Sequence, residues 1–441
     1  MGLVASEIGI VTIVLLMAIF VASAGRFALG AMCLPSMMAL TAITYFFVMP
    51  AISLSGNNES HFGMTLTTLE WPHFAVLLYA LGAYAACVAG RGDLAVDPAQ
   101  LRLVERRSSD AAFWLLAASA AAGIAVTVAL GRLNLMADEN YSASIAAEVS
   151  DFSFLNMSFT MLLPLTLVVL IRENFNARSL VVLVVVCLIL LTTGFRTRLI
   201  LLGYTVAASF LLMRRIKIRV SYIVVGTIVG ILGGNAMGQA RTYGQGVDLA
   251  KLDGMSWTDI LFSFGGEVGA LYAFSFTASN PLPELVLGKP WIVGLARLIP
   301  SFIWKDKPGP DYLAHYLGGF STEGVEQAGV AAPQHVEMLL QFGWVGLPIL
   351  AFLYFCLAIH LVRRLNRLGR EARIAGCALV PVFFGFYMQT RGYFFQILAD
   401  GLFTFGPLFL MHLGDKRPLD RQIAPASRTS RSSSASERCR S

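Results

Sequence analysis

Long runs of apolar residues, broken by short polar stretches, set the pattern of this chain. Many reach 18 residues, enough for a helix to cross a hydrocarbon core of about 30 Å. They predict spans over residues 3–24, 27–50, 72–90, 111–130, 154–171, 179–195, 197–213, 220–239, 342–362, 374–390 and 392–411. Segment 258–279 is a candidate twelfth, but Asp259 and Glu267 interrupt it. It reads better as a helix lying at the surface or dipping into it. The first run is followed at once by another and lacks a small-residue cleavage site, so it reads as a retained span, not a signal peptide. The expected fold is all-α and polytopic, with about 11–12 transmembrane helices and one large outer loop.

Charge adds an orientation. Only 14% of residues are charged, against about 25% in soluble domains. Arg26, then Arg91, Arg102, Arg106 and Arg107, then Arg172 and Arg178 mark basic connections. So do Arg214, Arg215, Lys217 and Arg219, and later Arg363, Arg364, Arg367, Arg370 and Arg373. They alternate with connections poor in basic residues. Basic loops stay inside, so the expected arrangement has the N-terminus outside and the C-terminus inside. It divides the chain into an N-terminal bundle (1–240), an outer loop (241–335), C-terminal helices (336–411) and a disordered inner tail from His412 (412–441). The net charge of +6 then belongs to inner loops and tail, not to a nucleic-acid surface. The six cysteines show neither a disulfide framework nor metal-ligand spacing.

Some arginines fall on the expected outer side. Arg196 and Arg198 lie in TTGFRTRLILL, between two short apolar halves, and Arg391 lies in MQTRGYFF at the turn of a tight hairpin. An arginine at membrane depth costs roughly 2.5–3.5 kcal/mol on insertion scales, so it needs a partner or a task. A guanidinium fork matches phosphate oxygens and keeps its charge. Snorkelling to lipid headgroups is the plainer explanation.

The outer loop is too long to be a simple connector. Its turn-forming clusters are SNPLPE, GKP (288–290) and WKDKPGPD, and WIVGLARLIPSFIW (291–304) reads as an amphipathic interfacial helix carrying Arg297. The loop ends in PQHVEMLLQFGWVG. Pro333 suits the first position of a helix, and Gln334 and His335 would follow in the first turn, where free N–H groups favour an anion. His335 kept neutral there would be a candidate general base, and Glu337 is the other. The two point about 160° apart on a helix, so they form no simple dyad. Helix capping by Glu337 and packing of His335 on loop aromatics are the structural alternatives. Glu267 in FGGEVG is a weaker ligand candidate. Asp400, mid-span in QILADGLF, either serves function or pairs with a neighbouring helix.

The layout, with GFRTRL at 194–199 and HVEMLLQFGWVG at 335–346, resembles the bacterial Wzy-type oligosaccharide repeat-unit polymerases and the O-antigen ligases of the same superfamily. The second stretch looks like the family pattern of His or a polar residue, then Glu, then FGxxG entering a membrane helix. The eleven spans depart from the twelve often assigned. The resemblance implies a GT-C-like, metal-independent glycosyltransferase of the bacterial inner membrane with a periplasmic site. Its donor would be an undecaprenyl-diphosphate-linked oligosaccharide, without further cofactor. Membrane lipid and a chain-length regulator would be partners. Under it, Arg196, Arg198 and Arg391 would bind the diphosphate, His335 or Glu337 would deprotonate the acceptor hydroxyl, and Arg241 or Arg297 would orient a substrate. A ligase uses the same parts. A flippase or other transporter is the alternative from another class, and would show internal repeats, broken helices and a charged central cavity.

Overall fold

A computed structural model describes residues 7–24, 32–48, 70–90, 109–129, 156–192, 196–214, 285–297, 333–391 and 394–413. It adds strands at 241–242 and 246–247 and a few isolated positions. The architecture is helical. Among the described residues, five helices are long and apolar enough to cross a membrane, and four shorter apolar helices accompany them.

In chain order the N-terminal helices are α1 (Glu7–Ala24), α2 (Leu34–Ile43, continuing as a π-helical turn Thr44–Val48) and α3 (Glu70–Ala89). Then come α4 (Asp110–Ala129), α5 (Asn156–Arg172), α6 (Ala177–Thr192) and α7 (Arg196–Arg214). Two-residue strands β1 (Arg241–Thr242) and β2 (Gly246–Val247) pair antiparallel. Helix α8 (Lys289–Arg297) precedes α9 (Gln334–Asn366). Helix α10 (Arg370–Val382) passes through a second π turn, Phe383–Tyr387, into α11 (Met388–Arg391), and α12 is Phe394–Leu410.

Apolar side chains cover the outside as well as the core, which is what a lipid solvent selects. Val11, Val14 and Val21 of α1, Leu115 of α4 and Val181, Val184 and Leu188 of α6 are all more than half exposed. Between helices, small residues permit close approach. A Cβ on Gly82 of α3 would overlap the Pro348 carbonyl oxygen of α9, and one on Gly385 would lie 3.0 Å from the Met38 backbone nitrogen of α2.

One end of the bundle is tied by polar groups. Arg172, closing α5, places Nη1 2.7 Å from the Asp110 carboxylate at the start of α4 and Nε 3.6 Å from Glu371 at the start of α10. His412 lies 3.9 Å from Glu371 through Nε2, with Nδ1 2.7 Å from the Leu408 carbonyl. His412 is therefore a buried part of the bundle, not the first residue of a tail. Its ring has polar partners there that water would otherwise supply. The remaining tail, 414–441, lies outside the described residues, as do the 220–239 span apart from two positions and the 258–279 segment.

The main departure from the expected layout is in α9. Pro333 is the N-cap rather than the first helical residue, with its carbonyl accepting from Val336 and Glu337. The helix does not run straight into the membrane. Gly343 has φ 67° and ψ −166°, and two helical arms meet there. The Tyr79 ring of α3 lies 5.8 Å from His335 and 6.0 Å from Phe355. A straight helix would hold residues 335 and 355 about 30 Å apart. The chain thus folds back at Gly343. The first arm, 334–342, starts halfway along α3 and runs towards its beginning, where Trp344 packs on Trp71 and Phe74. The second arm returns along α3 as far as Gly90, which abuts Ile359.

Helix α8 seals the elbow. The break deprives the Leu340 carbonyl of its regular helical donor, and the Val286 N–H supplies one at 3.0 Å. Trp291 Nε1 donates to Gln341 Oε1 at 2.7 Å. The helix begins at Lys289, so the expected GKP turn contracts to the residues before it, with Gly288 at φ 72°. Exposed Trp291, Ile292 and Leu295 line its outer side.

Candidate functional site

Two polar clusters lie inside the bundle, joined by the two π turns. A π turn inserts one residue into the helical ladder, and such bulges occur often at functional sites.

The first cluster surrounds the start of α9. Every residue from Gln334 to Gln341 is buried, although the stretch carries two glutamines, a histidine and a glutamate. The Tyr79 hydroxyl donates to Gln334 Oε1 at 3.0 Å. The His335 ring stands edge-on to Phe46 at 4.6 Å and tilts against Tyr79. Phe46 belongs to the π turn of α2. Beside it Phe47 stacks on His73 of α3 at 4.4 Å, and His73 hydrogen-bonds the Phe46 backbone. Glu337 is buried in the same arm. Among the described residues His335 is thus packed by aromatics of the helices, and it has no exposed surface. It can meet a substrate only when the short arm shifts.

The second cluster is built from α5, α7, α12 and the π turn of α10. Arg198 lies in the first turn of α7, already helical rather than in the connecting turn. Its guanidinium sits 5.8 Å from the centre of the buried Phe159 ring. The Asp400 carboxylate and Tyr387 both act on it electrostatically. The Tyr387 hydroxyl donates to Asp400 Oδ2. Asp400 is buried, whereas Arg198 and Tyr387 are half-buried. A carboxylate on another helix thus contributes to the electrostatic surroundings of this arginine.

Tyr45 and Phe386 connect the clusters, their rings 6.4 Å apart and near perpendicular. Tyr45 precedes Phe46, which touches His335, and Phe386 precedes Tyr387, which binds Asp400. The adjoining π turns thus carry Phe46, which touches His335, and Tyr387, which acts electrostatically on Arg198. Of the other candidates, Arg196 opens α7, Arg241 opens β1, Arg297 closes α8 and Arg391 closes α11. Glu267 lies outside the described residues.

Sequence reasoning missed Tyr79, His73 and Tyr387, since an aromatic residue or a histidine in an apolar run gives no sign of its partner. Asp400 was visible as an intramembrane carboxylate, but its ties to Tyr387 and Arg198 were not. No protein-family model, no curated protein and no solved structure matches this chain.

Proposed function

We propose that this chain is a polymerase of lipid-linked oligosaccharide repeat units, working at the outer face of a bacterial inner membrane. The observation that carries this is that two adjoining π turns bear, through Tyr387 and Phe46, on an interior arginine, Arg198, and on a helix start with histidine and glutamate. Glycan transfer from a polyprenyl diphosphate needs both kinds of group. An acceptor hydroxyl oxygen attacks the anomeric carbon, the bond to the diphosphate oxygen breaks, and the proton leaves the hydroxyl. Arg198 meets the charge that develops on the departing diphosphate. His335 or Glu337 takes the proton once the short arm of α9 opens. Arg196 and Arg391, placed by their backbones at the start of α7 and the end of α11, are the further candidates for the diphosphate, with Arg241 and Arg297 held for a second substrate.

Orientation belongs to the same proposal. The end where Arg172, Arg363, Arg364 and Arg373 gather is the inner one, by the excess of basic residues there. The elbow of α9, with Trp71, Trp344 and α8, then lies at the outer interface, where tryptophan concentrates.

A second reading draws on the elbow itself. A helix broken inside the bundle, together with the buried carboxylate of Asp400, is what a lipid-oligosaccharide flippase would use. Deleting the gene and examining lipid-linked glycans separates these. A polymerase deletion leaves single repeat units on lipid at the outer face, a ligase deletion leaves long lipid-linked polymer, and a flippase deletion traps units on the cytoplasmic face. Complementation tests the residue. Arg198→Lys should keep more activity than Arg198→Ala, because it retains the charge without the fork. Equal activity of wild type and both variants would remove Arg198 from the diphosphate site.

A further inference from the structure

We infer that the outer face of α8 rests in the lipid interface and that α8, held there, latches the short arm of α9 in its buried place. The partner is the bilayer surface, the apolar layer just beneath the headgroups. Depth is set by α3, which is long and apolar enough to span, with Trp71 at its beginning. Trp344, next to the elbow, packs on Trp71 at 5.5 Å, so the elbow lies level with the end of a span. Val286 and Trp291 donate to Leu340 and Gln341, within one helical turn of Gly343, which brings α8 to the same level. Tryptophan concentrates where a bilayer meets water.

The two sides of α8 differ in what covers them. On one, Val293 and Ala296 are buried, and the helix packs along α12. On the other, Leu287, Ile292 and Leu295 are more than half exposed. Leu285 lies against Gly343, and past the elbow Val345, Ile349 and Leu353 of the returning arm are also more than half exposed. The apolar surface of α8 thus continues into that of a span, and acyl chains cover both. Lys289, exposed at the start of α8, suits the headgroup layer. The latch grips the arm close to its hinge. A main-chain tie at Leu340 and a side-chain tie at Gln341 fix the direction and the rotation of its last turn. His335 stands further from the hinge than Gln341 by about 9 Å of helix. A small turn at the latch therefore becomes a larger displacement at the histidine, and lipid that holds α8 holds His335 buried.

The latch stands whatever reaction the arm serves, and loss of the polymerase reading in the glycan assay would leave it in place. Hydrogen–deuterium exchange of the full-length protein in nanodiscs of phosphatidylethanolamine and phosphatidylglycerol tests it, through peptides covering 285–297 and 334–342. Trp291→Phe removes the donor to Gln341 and should speed exchange over 334–342 roughly tenfold. Ile292→Ser with Leu295→Ser, at exposed positions, weakens the hold on lipid and should speed exchange in both peptides on the order of fivefold. Ile292→Leu with Leu295→Ile should keep wild-type protection. Val181→Ser with Val184→Ser, at exposed positions of α6, which packs on α5 and α7, should change neither peptide. Unchanged exchange over 334–342 in Trp291→Phe would overturn the latch. Faster exchange there, but not in the serine pair on α8, would overturn the role of lipid, as would an equal effect of the pair on α6. Should the serine pair on α8 fail to fold, Ile292→Ala with Leu295→Ala replaces it, and the same outcomes decide.

Discussion

Replacing Gly343 with alanine isolates the backbone cost of the elbow in α9. The glycine sits at φ 67°, ψ −166°, a region that side-chain-bearing residues hardly enter. Among the described residues, a Cβ there would meet Leu285 Cδ2 alone, at 3.9 Å, an ordinary van der Waals contact. Steric overlap therefore contributes little, and the loss should equal the strain of the conformation, about 1–3 kcal/mol. Gly203 provides the control. It lies within α7, and a Cβ added there would meet none of the described residues within 4 Å, so Gly203→Ala should be neutral or stabilising by up to about 1 kcal/mol. Unfolding followed by tryptophan fluorescence suits the question, since Trp344 adjoins the elbow and its ring lies 5.5 Å from that of Trp71. A Gly343→Ala protein as stable as wild type, with unaltered tryptophan emission, would refute the folded-back arrangement.

Other substitutions probe the surrounding packing by the same unfolding measurement. Gly82→Ala should cost about 1–3 kcal/mol, because the new methyl meets Pro348 backbone atoms, including its carbonyl carbon at 2.9 Å, that cannot move aside. Tyr79→Phe should cost about 1–3 kcal/mol by removing the donor that Gln334 uses in a buried setting. Arg172→Ala should destabilise by up to about 3 kcal/mol, since Glu371 would stay buried without that cation. Asp110→Asn, at the exposed side of the same arginine, should cost under about 1 kcal/mol.

Among the described residues, the positions of the helices were largely legible in the sequence, and their internal form was not. Runs such as 7–24, 70–89 and 110–129 are apolar on all faces, so length and composition alone locate them. The same uniformity hides the elbow. Residues 334–342 and 344–366 look like one continuous helix to any periodicity, and Gly343 resembles the glycines that merely thin a membrane helix. His335 and Glu337 stood out as polar residues at the edge of an apolar run, yet their depth depends on α2 and α3, far away in sequence. The link from Tyr79 to Gln334 spans 255 residues. Arg198 could be recognised as needing an anion, while the carboxylate that acts on it, Asp400, stands on a helix far away in sequence. The π turns carry no signal of their own, because an extra residue in a helix of Phe, Tyr and Val leaves the apolar pattern unchanged.

The short arm of α9 also constrains the order in which the molecule can be assembled. Its nine residues, about 13 Å of helix, include Gln334, His335, Glu337 and Gln341. A segment so brief and polar has no affinity for lipid by itself. It can enter only a groove already lined by Tyr79, Phe46 and the helices that carry them, all made much earlier during synthesis. The N-terminal helices thus serve as a mould, and this arm docks as a late event governed by protein surfaces rather than by insertion into the bilayer.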